Sequence, residues 1–189
     1  MIEILDSNTQ ILGLENAKVQ EYWSWAHSNI LENTERGAFA EYLVAVALGI
    51  DNVPRQNWLP YDLLYKKKVR IEVKSSAYLQ SWYQKELSKI IFGISKTRSW
   101  NPKTNEVSQN MSRESDVYVF CVYKEKNEQD ANVLNANMWE FYIVLTKTIN
   151  NNLGDQKTIG LSSLKRYCES ISFCNLKNAI DKLVSYQNL

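Results

Sequence analysis

The stretch YDLLYKKKVRIEVKSS, residues 61–76, contains the pattern on which the fold prediction depends. Two short runs of β-prone residues, YDLLY and VRIEV, are separated by lysines, and this arrangement predicts a β-hairpin. Because side chains alternate between the two faces of a strand, the three apolar residues of VRIEV would share one buried face. Glu72 and Lys74 would then lie together on the opposite face.

The predicted hairpin brings acidic residues together. A turn centred on Lys67 pairs residues that are equally far from it, and so places Asp62 opposite Glu72. Like charges directly opposite each other destabilise a sheet, and two carboxylates held so close share either a proton or a cation. Hard oxygen ligands of this kind suit Mg²⁺, which is bound by one or two carboxylates. Lys74 would lie next to such an ion, on the same face as Glu72.

A helix is predicted before the hairpin, over the sequence NTERGAFAEYLVAVALGI at residues 33–50. Asn33 or Thr34 can cap its beginning, and Gly49 ends the apolar pattern. Glu41 lies in the middle of this helix among apolar neighbours, so the cost of burying its charge must be offset by a partner. A second metal ion or a metal-bound water would supply that partner.

The rest of the chain supports a single domain of the mixed α/β class over residues 1–189, since neither repeats nor linkers interrupt it. Residues 76–94 mix helical and strand signals, and both alternatives stay open. The other segments with a clear pattern are two strands, DVYVFCVY (116–123) and WEFYIVLT (139–146), and two closing helices, SSLKRYCE (162–169) and LKNAIDKLVSY (176–186).

Composition and cysteine usage favour an ordinary cytoplasmic protein. The hydrophobic fraction of 44% and the charged fraction of 23% are typical of globular domains. The three cysteines have no short metal-type spacing and suit a reducing cytosol. The sequence begins with an acidic, interrupted segment unlike a signal peptide and contains no long uncharged apolar run, so no membrane association is expected.

Several kinds of chemistry are disfavoured by what the sequence lacks. His27 is the only histidine, which excludes zinc sites built from paired imidazoles and leaves no base for a serine nucleophile. The six glycines form no nucleotide-binding loop, so dependence on ATP is not expected.

Positive charge is concentrated around the hairpin. Residues 62–103 contain ten Lys and Arg against three Asp and Glu, although the whole chain has a net charge of only +1. Basic groups neutralise phosphates and aromatic faces stack on bases, so this region is a candidate nucleic-acid surface, with a solvated lysine face and aromatic core residues as the alternative. The candidate contacts are Lys67, Lys68, Arg70, Ser75, Trp82, Lys85, Lys89 and Arg98.

The acidic residues and the lysine follow an order found in a known group of enzymes. Glu41 on the leading helix, Asp62 at the first strand and Glu72-Val73-Lys74 on the second resemble the motif of the PD-(D/E)XK nuclease superfamily. The resemblance covers residues 34–76 as a motif. In that superfamily, which has the restriction-endonuclease-like fold, a mixed central sheet is flanked by helices, and we expect this α/β architecture here.

The resemblance also implies roles for these residues in Mg²⁺-dependent hydrolysis of a phosphodiester, with Mn²⁺ able to substitute. Asp62 and Glu72 would bind the metal together with the main-chain carbonyl of Val73. Lys74 would position or activate the attacking water, and Glu41 would bind metal directly or through water.

Two further features bear on the resemblance. Some branches of the superfamily have a catalytic Gln after the Glu-x-Lys motif, and Gln80 or Gln84 would match it, with Gln80 favoured because it is nearer. The family's Pro directly precedes its Asp, whereas here Tyr61 separates Pro60 from Asp62.

The expected function is therefore that of a metal-dependent DNA endonuclease, a hydrolase serving restriction, defence or DNA processing. A homodimer is expected by analogy, because enzymes that cut both strands often combine two active sites. Two alternatives stay open. The chain could be a nuclease-like module that binds nucleic acid without cutting it, or an interaction protein whose hairpin carries a surface ladder of charges.

Overall fold

A computed structural model describes residues 3–101 and 104–186, so residues 1–2, 102–103 and 187–189 of the expected single domain lie outside the described part. The α-helices are α1 Val19–His27, α2 Asn33–Leu48, α3 Thr146–Leu153, α4 Leu161–Leu164 and α5 Phe173–Tyr186. The strands are β1 Leu63–Tyr65, β2 Val69–Ala77, β3 Ile91–Gly93, β4 Trp100–Asn101, β5 Glu106–Val107, β6 Val117–Tyr123, β7 Trp139–Leu145 and β8 Thr158–Gly160.

The centre of the molecule is a mixed four-stranded sheet in the order β1-β2-β6-β7. β1 and β7 run antiparallel to their neighbours, whereas β2 and β6 are parallel. Every residue of β6 is buried, as expected of a continuous apolar strand that is covered on both faces. The predicted mixed α/β class, with a mixed central sheet flanked by helices, is confirmed.

Two apolar clusters sandwich the sheet. On one face, α2 packs against the apolar side of β2, including Ile71 and Val73, and α5 packs against α2 and β7. On the other face, α3, α4 and the β3–β8 pair cover Phe120 and Tyr142. In the described ranges, no helix combines the length and the apolar character needed to cross a membrane.

The hairpin has the register predicted from its sequence. Leu63 pairs with Ile71 and Tyr65 with Val69, and residues 69–74 of β2 alternate between buried and partly buried. The turn is tight, since Lys66 and Lys67 adopt left-handed backbone conformations with φ of 50° and 59°. The predicted division of β2 into an apolar and a charged face is therefore confirmed.

The helix that carries Glu41 is also present, but its cap differs from the expectation. The cap is Glu32 rather than Asn33 or Thr34, because its carboxylate accepts a hydrogen bond of 2.8 Å from the Thr34 amide. Gly49 ends the helix in a left-handed conformation with φ of 69°, as the apolar pattern indicated.

Other segments depart from the sequence prediction. The ambiguous segment 76–94 contains the end of β2, after which it is neither a helix nor a long strand, and only Ile91–Gly93 of it forms a separate short strand, β3. The helix expected at residues 162–169 is reduced to Leu161–Leu164. Helix α3 was not predicted, because its sequence TKTINNNL has weak helix propensity, and it is stabilised by burial of Ile149 and Leu153 against the sheet.

Candidate active site

Asp62 lies directly before β1 and is bound to β2 through its backbone and its side chain. Its amide donates to the carbonyl of Ile71 at 3.0 Å, and its carboxylate accepts a hydrogen bond of 2.7 Å from the Val73 amide. The strand pairing ends at Leu63 with Ile71, so Asp62 lies just beyond it, and its position directly opposite Glu72 stays a prediction. Burial raises the pKa of Asp62 to about 7, and the negative charges of Glu72 and Glu41 add to the rise.

Glu72 and Lys74 share the charged face of β2 and form an ion pair, with 2.5 Å between Lys74 Nζ and Glu72 Oε1. Burial alone would lower the pKa of Lys74, but the charge of Glu72 and the hydrogen bond to it outweigh burial, so this pKa is raised. Lys74 is therefore a protonated donor at neutral pH. This state suits a residue that holds a phosphate oxygen or a water better than one that accepts a proton.

Glu41 is buried, at 8% exposure, and its partner is an arginine that the sequence did not indicate. Both carboxylate oxygens accept hydrogen bonds from Arg55, at 2.6 Å from Nε and 2.7 Å from Nη2. In this structure a bidentate arginine pair offsets the burial of Glu41, and the expectation that Glu41 also binds a metal or a metal-bound water stays a prediction. The apolar surroundings of Glu41 showed that a cation was needed, but the polar loop carrying Arg55 gave no signal of its identity.

The three carboxylates act on one another. The charges of both Glu72 and Glu41 raise the pKa of Asp62, and the charges of Asp62 and Glu41, after burial, raise the pKa of the Cys121 thiol. Two of the three acids have a cationic side chain as partner, whereas Asp62 is held by a neutral amide. The three carboxylates of Asp62, Glu72 and Glu41 therefore have only two cationic side chains, Lys74 and Arg55, as direct partners.

The chemistry of this donor set fits Mg²⁺. Asp62, Glu72, Glu41 and the Val73 carbonyl provide hard oxygen atoms, and the raised pKa of Asp62 marks a place where an added cation is stabilising. Within residues 3–101 and 104–186, however, no three Asp, Glu, His or Cys side chains are grouped closely enough to form a ready-made ion site. Glu41 and Glu72 would have to exchange a side-chain partner for the ion.

The loop that follows β2 is fixed by Arg36, another buried residue that the sequence did not indicate. Arg36 donates hydrogen bonds to Ser75 Oγ at 3.2 Å and to Gln80 Oε1 at 3.3 Å. Gln80 in turn donates to the carbonyl of Ala77, and its backbone amide donates to the side chain of Gln84. Both the oxygen and the nitrogen of the Gln80 side-chain amide are therefore hydrogen-bonded at the end of β2, and Ser75 shares Arg36 with the Gln80 oxygen.

The candidate nucleic-acid contacts divide into exposed and paired residues. Arg70 is paired with Asp116 at 2.9 Å and lies 3.6 Å from Glu114, so its charge is already neutralised within the fold. Trp82 is 54% exposed, which favours a surface role over the core alternative for this residue. The exposed basic residues are Lys67, Lys68, Lys85, Lys89 and Arg98.

The loop between α2 and β1 contains an exposed aromatic residue that the sequence analysis did not single out. Trp58 is 83% exposed and has a left-handed backbone with φ of 70°, which is unfavourable for a bulky side chain. The loop is anchored on either side of Trp58, by Arg55 to Glu41 and by Asp62 to Val73. The exposed aromatic ring of Trp58 thus belongs to an anchored loop that precedes Asp62 by only a few residues.

Compared with protein-family models and with curated protein sequences, the chain matches none. The functional assignment that follows depends on the residues of the site and on their geometry.

Proposed function

We propose that this protein is a divalent-metal-dependent endonuclease of the restriction-endonuclease-like fold, which hydrolyses DNA phosphodiester bonds. The observation that carries the proposal is the state of Asp62. Its carboxylate is held near two further acids, and its pKa rises to about 7 because burial, and then the charges of Glu72 and Glu41, disfavour its ionised form. Such an arrangement is relieved either by a proton or by a cation, and a divalent cation would stabilise the ionised form of Asp62.

The residues that would hold the ion are Asp62, Glu72 and the main-chain carbonyl of Val73, with Glu41 as a further ligand, directly or through water. A bound Mg²⁺ or Mn²⁺ supplies charge stabilisation at the phosphate and a more acidic water. Lys74, which keeps its proton next to Glu72, donates hydrogen bonds to the phosphate or to the attacking water.

The surroundings of the acids support a nucleic-acid substrate. Exposed lysines lie at the turn before β2 and in the loop after it. Residues that could bind phosphates therefore flank Glu72 and Lys74 on both sides along the chain. Trp58 and Trp82 present exposed aromatic faces in the flanking loops, and such faces stack on unpaired bases. A homodimer would provide two active sites for cutting both strands.

Cleavage of supercoiled plasmid in the presence of Mn²⁺ tests the proposal. We expect wild-type protein to produce nicked or linear DNA, and the Asp62→Asn and Lys74→Ala variants to lose cleavage by about a hundredfold or more, because each removes a charge that acts on the reacting phosphate. Arg166→Gln is the matched control, since Arg166 is exposed and donates to Ser163, outside the proposed site. Equal cleavage by all four proteins would contradict the proposal.

A second candidate, a nuclease-like module that binds without cutting, is favoured by one observation. Arg55 occupies both oxygens of Glu41, as expected if that carboxylate no longer has a ligand role. This candidate predicts DNA binding without cleavage under any metal. The remaining alternative is a purely structural ladder of charges formed by Glu72 and Lys74. It predicts that millimolar Mn²⁺ leaves the melting temperature of the protein unchanged.

A further inference from the structure

Arg55 is the cation that neutralises Glu41, and it is poorly placed to be only a structural counter-ion. Its side chain is 47% exposed whereas that of Glu41 is 11% exposed, so the arginine reaches from the surface to a buried acid. The backbone next to it belongs to the loop that carries Trp58, and Arg55 also donates to Asn57 in that loop. The contact with Glu41 therefore links a surface loop to the acidic residues.

The geometry of this contact is one that a phosphate can replace. Arg55 presents Nε and Nη2 to two oxygens at 2.6 and 2.7 Å, and the same planar fork binds two oxygens of a phosphate equally well. The positive charge of Arg55 also acts against any other cation at Glu41 and Asp62, since it is close enough to Asp62 for that carboxylate to affect it. Arg55 and a divalent ion thus compete for the same acids.

We propose that Arg55 is a substrate-binding residue that blocks the metal ligand Glu41 until a divalent cation binds. Arg55 then leaves Glu41 and its guanidinium contacts a phosphate of the nucleic acid. The inference rests on the proposed function. It adds a residue whose side chain lowers the affinity for the metal and raises the affinity for nucleic acid. It also explains why a cationic side chain pairs with Glu41 in the metal-free protein.

Metal binding gives the first test and does not depend on turnover. Titration with Mn²⁺, followed through the electron paramagnetic resonance signal of the free ion, would compare wild type with Arg55→Gln, Arg55→Lys, Asp62→Asn and the control Arg166→Gln. We expect Arg55→Gln to bind Mn²⁺ at least tenfold more tightly than wild type, because the competing charge is gone. Arg55→Lys keeps the charge but loses the fork, so a smaller gain is expected, and Arg166→Gln should match wild type.

Nucleic-acid binding gives the second test, with Ca²⁺ present and a duplex oligonucleotide as the probe. We expect Arg55→Gln to bind the duplex at least fivefold more weakly than wild type, although it binds metal more tightly. A residue that only stabilised the loop would not change the two affinities in opposite directions. Unchanged or weaker Mn²⁺ binding by Arg55→Gln, or unchanged duplex binding, would overturn the inference.

The failure of this inference can be distinguished from failure of the proposed function. If Asp62→Asn abolishes Mn²⁺ binding while Arg55→Gln behaves as wild type, the metal site stands and the role of Arg55 is wrong. If wild type and Asp62→Asn bind Mn²⁺ equally, both proposals are wrong.

A measurement on the wild-type protein covers the case in which Arg55→Gln does not fold. The arginine Nε–H resonance of Arg55, assigned with Arg55→Lys, should shift when Ca²⁺ is added and should shift again with duplex. A resonance unaffected by both additions would show that the contact with Glu41 is permanent, against the inference.

Discussion

Asp62 differs from the other two acids in what neutralises it. Glu41 binds Arg55 and Glu72 binds Lys74, whereas the carboxylate of Asp62 accepts its hydrogen bond from the amide of Val73. An amide lowers the pKa of a carboxyl less than a full positive charge does, and here burial and neighbouring negative charges dominate. The ionised form of Asp62 is thus destabilised in the folded, metal-free protein.

This imbalance predicts a pH dependence of stability. Because the pKa of Asp62 rises from 3.8 to about 7 on folding, the native state binds the extra proton, and the free energy of unfolding should fall as the pH rises from about 4 to about 7. Asp62→Asn keeps an acceptor for Val73 and should remove that fall, with a gain on the order of 2 kcal/mol at pH 8 without metal. Urea unfolding across this pH range measures the effect.

Asp116 is the matched control for Asp62, because its shift has the opposite sign. Burial would raise the pKa of Asp116, but its hydrogen bonds with Arg70 outweigh burial and lower it. Asp116→Asn should therefore destabilise the protein at pH 7, and this loss should disappear as the pH falls through the lowered pKa. Identical pH profiles for the two variants would contradict the assigned environments.

The pair formed by Glu41 and Arg55 predicts an asymmetric mutational effect. Arg55→Ala leaves a buried carboxylate without a counter-charge, so it should cost about 3 kcal/mol of unfolding free energy in the absence of metal. Adding Glu41→Gln to that variant removes the unpaired charge and should recover a large part of the loss. A double-mutant cycle by chemical denaturation measures the coupling, and additive effects would show that the pair is not energetically linked.

The residues of the site could be predicted from the sequence to different extents. The hairpin register and the shared face of Glu72 and Lys74 could be predicted from strand alternation and the turn, because they depend on local geometry that the sequence carries. The pairing of Arg55 with Glu41 could not be found in this way. It joins a helix to an irregular loop, and no period connects residues in those two kinds of structure.

At the level of single elements, the hairpin shows how a turn can contain strain. Lys66 and Lys67 both adopt left-handed conformations, although a residue with a Cβ atom is disfavoured there by about 1 kcal/mol. Three consecutive lysines in the sequence indicated a polar turn but not its type, since Asn and Gly are the usual residues in such turns.

Replacement of Lys67 separates strain from charge. Lys67→Gly should stabilise the protein by about 0.5 kcal/mol, because glycine adopts a positive φ without steric cost and part of that gain is offset by the flexibility of the unfolded chain. The same change should weaken duplex binding in Ca²⁺, because it removes an exposed charge. Denaturation and a binding titration measure the two effects.

Lys68→Ala is the comparison for that prediction, since Lys68 is exposed and has no positive φ. It should weaken duplex binding without any gain in stability. Stronger or equal duplex binding by both variants would show that the turn does not contact nucleic acid.

For the whole molecule, the central sheet was more predictable from the sequence than the irregular segment that follows β2. Strand β6 is a continuous apolar run and β7 is interrupted only by Glu140, and their extensive burial makes their sequence signal strong. The segment from Tyr78 to Ile90 is held by side-chain contacts such as Gln84 with Ser88, which leave no periodic pattern. The parallel pairing of β2 with β6 likewise depends on tertiary packing rather than on either strand alone.

The distribution of charge along β2 gives a prediction for the complete protein. β2 has nine residues and so spans about 26 Å, which corresponds to about eight phosphates of one DNA strand. Lys67 and Lys68 precede this strand and Lys85 and Lys89 follow it, with the acidic residues between them. Duplex that runs along β2 would contact both lysine pairs at once.

The salt dependence of duplex binding tests this path. With Ca²⁺ constant, removing either lysine pair should lower the slope of log affinity against log salt by about 2, and removing both should lower it by about 4, since each phosphate contact contributes about 0.9. A slope that responds to one pair alone would show that the duplex crosses the strand instead of following it. Such a result would restrict the contact surface to one end of the site. The lysine pair whose removal changed the slope would then show on which side of the acidic residues the duplex binds.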